Sequence, residues 1–82
     1  MPPLLELYFS PEDEACQKII HLLKLQHLPY VSKDISGDSV HLQKLLHITG
    51  SKTVPCLFVS GAPIQGESEI RDWINQNFGS LK

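Results

Sequence analysis

Eighty-two residues, 41% apolar and 20% charged, fit one folded domain, and a chain this short buries only about 60% of the surface it exposes when unfolded. A formal net charge of -2 gives no broad attraction for phosphate backbones or anionic lipid, which argues against nucleic acid as a partner. The longest apolar runs, such as Ile19-Ile20 and Val54 to Val59, fall far short of the roughly 20 residues that cross a bilayer. The opening Met1-Pro2-Pro3-Leu4-Leu5-Glu6 lacks the basic segment and apolar core of a secretory signal, so the expectation is a cytoplasmic chain with no membrane partner.

Along the chain, Leu4-Leu5-Glu6-Leu7-Tyr8-Phe9 predicts a buried strand that Ser10-Pro11 ends. Ala15, Ile19, Leu22 and Leu23 then recur at helical spacing and predict a helix from Glu14 to about His27, with Asp13 a good N-cap. Residues Pro29 to Ile35 have the β-branched and aromatic content of a second strand, closed by Gly37-Asp38. Val40, Leu42, Leu45, Leu46 and Ile48 predict a short second helix that stops at Gly50. Val54 to Val59 reads as a strand, Ser60-Gly61-Ala62 as a tight turn, and Pro63-Ile64-Gln65 as a short returning strand. Ile70, Trp73, Ile74 and Phe78 predict a closing helix over 68–78, followed by a frayed tail, Gly79 to Lys82.

Two cysteines, Cys16 and Cys56, are too few to staple a small secreted domain, and with histidines at 21, 27, 41 and 47 they form no set with zinc-ligand spacing. No metal is expected. The element order is β-α-β-α-β-β-α, in which the first βαβ unit is parallel and the last two strands form a hairpin. That is the order of the α/β thioredoxin fold, a four-stranded mixed sheet flanked by three helices.

Three landmarks at matching spacing carry a family resemblance. Tyr8-Phe9-Ser10-Pro11-Glu12-Asp13-Glu14-Ala15-Cys16 resembles the strand, Pro and Cys-x-x-Cys opening of glutaredoxins; Thr53-Val54-Pro55 resembles their Thr-Val-Pro loop; Gly66-Glu67-Ser68 resembles their glutathione-binding turn. The N-terminal domain of glutathione S-transferases is similar, and the Glu-Ser pair with Ile70 resembles the transferase form of that turn. The resemblance covers nearly the entire chain and implies a single glutaredoxin-like domain over 1–82.

It further implies a cis bond at Pro55, which would expose the Val54 backbone to pair with the cysteinyl unit of glutathione in a short antiparallel ladder. Gly66, Glu67 and Ser68 would open the last helix, where unpaired N–H groups and the positive dipole end hold the γ-glutamyl carboxylate. Each landmark also has a plain structural use: Pro55 can shape a loop, and Ser68 can serve as an N-cap with no ligand at all. Lys52, before Thr53, could offset the negative charge of glutathione or simply be a solvated lysine. Where family members often carry a Lys before the Pro of the opening, this chain has Ser10.

The decisive departure is at the first cysteine. The resemblance places Asp13 where glutaredoxins have the nucleophilic sulfur. A carboxylate caps the helix as well as a thiolate does, but it cannot form a mixed disulfide. Cys16 matches the second cysteine. An unperturbed thiol with pKa about 8.5 is only a few per cent ionised at pH 7, and Glu12, Asp13 and Glu14 beside it disfavour the thiolate further. It reads as a small packing residue or, against those charges, as a monothiol nucleophile; Cys56, Tyr8 and Trp73 read as core or groove-wall residues.

Three functions follow. The first is a glutathione-binding domain, its partner glutathione or a glutathionylated peptide, with absent or weak thiol–disulfide oxidoreductase activity. The second is an enzyme, either a monothiol reductase using Cys16 or a transferase-like protein acting on bound glutathione. The third is a non-catalytic module that binds a protein partner in the same groove.

Overall fold

The structure is a computed structural model that describes residues 4–37 and 39–78. Asp38 and the tail after Phe78 were expected to form part of a turn and a frayed end, and both lie outside the described residues.

Seven elements follow in the predicted order: β1 (Leu5–Phe9), α1 (Glu14–Leu25), β2 (Val31–Asp34), α2 (Ser39–Thr49), β3 (Cys56–Val59), β4 (Ala62–Gln65) and α3 (Glu67–Asn77). The strands form one mixed sheet in the order β2-β1-β3-β4. β1 runs parallel to β2 and antiparallel to β3, and β3 is antiparallel to β4. This is the thioredoxin fold expected from the element order.

Strand alternation divides the apolar residues between two faces. Leu5, Leu7 and Leu57 project to one face and meet Ile19 and Leu23 of α1 and Ile70 and Ile74 of α3, all buried. Tyr8, Cys56 and Phe58 project to the other face and meet Leu45 of α2. The register is consistent with this division, since Leu7 pairs with Leu57 and Tyr8 with Cys56. Each fully buried Leu or Ile contributes roughly 1.5–3 kcal/mol by leaving water.

Most boundaries fall close to the sequence expectation, and the differences have local causes. α1 ends at Leu25 rather than His27 because the Gln26 and His27 N–H groups turn back to the Leu22 and Lys24 carbonyls, and His27 sits at φ 55°. β3 begins at Cys56 rather than Val54, two residues later than expected, since Pro55 has no N–H to give, and the Val54–Pro55 bond is cis. Between β3 and β4, Ser60 (φ 50°) and Gly61 (φ 91°) both take the positive φ that a two-residue hairpin turn requires, and Ser60 donates its N–H to the Leu4 carbonyl at 2.8 Å.

Candidate active site

The three sequence landmarks converge at one end of the sheet. The β1–β3 pairing ends at Tyr8–Cys56, so the exit of β1 into Phe9 and Ser10 and the entry to β3 from Pro55 lie at the same end of the sheet. Gly66 donates its N–H to the Pro55 carbonyl at 3.0 Å, which fixes the start of α3 beside the cis-proline loop.

At the α1 side, Asp13 occupies the N-cap as predicted, with extended backbone (φ -89°, ψ 125°). One oxygen, Oδ1, accepts the N–H of Ala15 at 2.8 Å and of Cys16 at 3.3 Å. Oδ2 takes no hydrogen bond among the described residues. The loop before it is pinned by Asp13 N–H to the Ser10 carbonyl at 3.1 Å and by Gln17 Nε2 to the Pro11 carbonyl at 2.8 Å. Asp13 is partly exposed, with Glu12 and Glu14 exposed on either side.

Cys16 lies one turn further in and is fully buried. Its Sγ accepts the Ser10 N–H at 3.4 Å, so the sulfur is engaged by its own loop. Burial pushes its thiol up from the ordinary value, the Ser10 N–H pulls it partly back, and the charge of Asp13 pushes it up again. A buried sulfur with a raised pKa has the environment of a packing residue rather than that of an attacking thiolate. Cys56 is also fully buried, and burial raises its thiol to about 11, partly offset by a backbone hydrogen bond from Ile64.

The cis-proline loop is held from the α2 side. The Thr49 hydroxyl lies 2.8 Å from the Leu45 carbonyl and accepts the Ser51 N–H at 3.2 Å. Ser51 Oγ then lies 2.6 Å from Thr53 Oγ1 and accepts the Thr53 N–H at 3.0 Å. This chain of short polar contacts delivers Lys52 and Thr53, both exposed, to the half-buried Val54 and the buried Pro55. No hydrogen bond engages the Val54 backbone among the described residues.

At the α3 side, Gly66 is the N-cap at φ 97°, a conformation that suits glycine, and it supplies no side-chain cap. The helix therefore starts at Glu67, one residue earlier than expected, and Ser68 is its second residue rather than its cap. The N–H groups of Glu67, Ser68 and Glu69 have no partner among the described residues. Glu67 pairs with Arg71 one turn along. One polar group that the sequence did not flag lies between these segments: Gln65, opposite Cys56, has a buried Nε2 without a hydrogen-bond partner. Nothing in a single Gln at a strand end signals that.

Among the described residues no group of His, Cys, Asp and Glu could hold a metal ion, and no helix is long and apolar enough to cross a membrane. The glutaredoxin family model matches residues 5–64, most of the chain. This chain belongs to the glutaredoxin family.

Solved structures resemble it in fold at low identity. The holo form of glutaredoxin C1 from Populus tremula x tremuloides is 24% identical with a TM-score of 0.74, over 89% of this chain and 75% of that one. A thioredoxin-like protein is 22% identical with a TM-score of 0.78, over 88% and 96% of the two chains. An epsilon-class glutathione S-transferase from the housefly Musca domestica is 22% identical with a TM-score of 0.81, over 94% of this chain but only 36% of the transferase. No curated protein matches the sequence.

Proposed function

We propose that this glutaredoxin-family chain forms one domain that binds glutathione, or a glutathionylated peptide, in the groove between Thr53-Val54-Pro55 and Gly66-Glu67-Ser68, and has little or no thiol–disulfide exchange activity. The observation that carries the reading is the meeting, at one end of the sheet, of a Val54 backbone without hydrogen bonds and an α3 start with unpartnered N–H groups, tied together through Gly66 and Pro55. An extended peptide can pair with the former and place a carboxylate on the latter. Lys52 stands next to the loop as the cation for a ligand of net negative charge.

Weak redox activity follows from the two residues at the start of α1. Asp13 offers no sulfur, and Cys16 is buried with its thiol pushed up, so a monothiol reductase acting through Cys16 lacks support. The similarity to glutathione transferases leaves a second route, action on the sulfur of bound glutathione, which needs the same groove. Titration of reduced glutathione into labelled protein tests both, with the backbone amides of Val54 and Ser68 expected to shift first. Unmoved amides at millimolar ligand would refute the groove.

A further inference from the structure

The two faces of the sheet are covered unequally. Two helices, α1 and α3, lie on the face that carries Leu5, Leu7 and Leu57, whereas α2 alone lies on the other and buries a single residue of its own, Leu45. Alternation puts Leu4, Glu6 and Tyr8 on that second face, and the bond from Ser60 N–H to the Leu4 carbonyl extends the ladder as far as Leu4. The register sets Val31 and Lys33 of β2 beside Glu6 and Tyr8, and Phe58 and then Pro63 on the other side of Glu6. Leu45 of α2 packs at the Tyr8 and Cys56 end of this face. At the opposite end Leu4 is 57% exposed, Val31 45% exposed and Pro63 exposed, an apolar surround for Glu6. Glu6 and Lys33 are both half-buried, and neither side chain has an ion pair or hydrogen bond among the described residues.

We propose that this uncovered half of the α2 face is the contact between two copies of the chain, stacked about a two-fold axis that sets Glu6 of each copy against Lys33 of the other. As diagonal neighbours on adjacent strands, the two residues stand roughly 8 Å apart at the backbone. One carries a negative and the other a positive charge, so the patch has no net charge and complements itself under two-fold rotation, where residue i meets j and j meets i. A foreign partner would need an amine and a carboxylate at the same spacing; a second copy has them by construction. Leu4, Val31 and Pro63 supply the apolar surface that leaves water around the two ion pairs. The contact is independent of the glutathione-type groove, since it lies at the start of β1 and the groove at its exit.

Sedimentation of the parent protein from about 10 μM to about 1 mM, the span of weak, small interfaces, should show a concentration-dependent dimer. Glu6→Lys and Lys33→Glu each bring like charges together twice and should weaken that dimer by about tenfold or more. Mixed in equal amounts, the two variants should regain the parent's association as a heterodimer, because each then offers the charges the other lacks. Carbodiimide coupling in a mixture of isotope-labelled and unlabelled parent chains should join Glu6 to Lys33 between labelled and unlabelled copies, which reads the contact without any substitution. A parent chain that stays monomeric at about 1 mM overturns the proposal, whether or not another protein binds the face. So does a dimer that neither reversal weakens, a mixture of folded variants that does not re-associate, or coupling confined to single chains.

Discussion

The starts of α1 and α3 lie at the same end of the sheet, yet the chain finishes them in opposite ways. At α1, Asp13 turns one carboxylate oxygen onto two N–H groups and closes the helix with its own charge. At α3, Gly66 brings no side chain, and the first-turn N–H groups are left without partners among the described residues. One helix start carries a built-in anion and the other has room for an external one. Two identical backbone features thus take different chemistry from a single residue each.

Placing sulfur on the closed start should break the contrast most. Asp13→Cys is expected to gain mixed-disulfide exchange with a glutathionylated peptide by at least a hundredfold over the parent, because the helix dipole and N–H groups then act on a thiol (~100-fold). A turnover assay reads this directly, and an inert variant would mean that more than the nucleophile is missing.

The two buried cysteines give a second contrast, Cys16 within α1 and Cys56 on the sheet face that meets α2. Cys56, opposite the residue before Gly66, has its thiol raised to about 11 by burial. A raised folded value means that the protonated form is favoured on folding, so the stabilisation is complete below pH 9 and is lost as pH rises through 11. The loss amounts to about 3 kcal/mol. Denaturant unfolding at pH 8 and pH 11 should show it, and Cys56→Ala should remove that part of the alkaline loss while lowering stability at both pH values.

The caps themselves give a smaller test. Gly66→Ala meets no atom within 4 Å but must keep φ at 97°, so it should cost about 1–2 kcal/mol through backbone strain alone. Asp13→Ala should cost about 1 kcal/mol through the lost cap, and Asp13→Ser only a few tenths (~0.3 kcal/mol). Chemical denaturation of the three variants ranks the two helix starts. One variant should gain stability: Gln65→Leu removes a buried amide N–H without a partner and should raise stability by about 0.5–1 kcal/mol. A loss there would reveal a partner for Nε2.

Much of this was legible in the residues. Strand alternation through Leu5, Leu7 and Tyr8, and helical spacing through Ile70, Trp73 and Ile74, fix element type because burial demands it. The Asp13 cap was readable because it depends on one four-residue stretch, Asp13 to Cys16. Where contacts between distant segments decide, the sequence was mute. The division of the core between α1 with α3 on one face and α2 on the other needed the strand register. The early start of α3 at Glu67 needed the Gly66 bond to Pro55, made across the hairpin. The unpaired Gln65 amide is a matter of what surrounds it, which no local pattern encodes.

That bond from Gly66 to Pro55 clamps the open end of the β3–β4 hairpin, while the Ser60-Gly61 turn closes the far end. The spacing between the cis-proline loop and the start of α3 is accordingly set by that backbone contact and by four paired residues on each strand. The tip of the hairpin is thus a place where an attached fluorophore sits a full strand length from the cis-proline loop, reporting on the protein without touching the contact between Gly66 and Pro55.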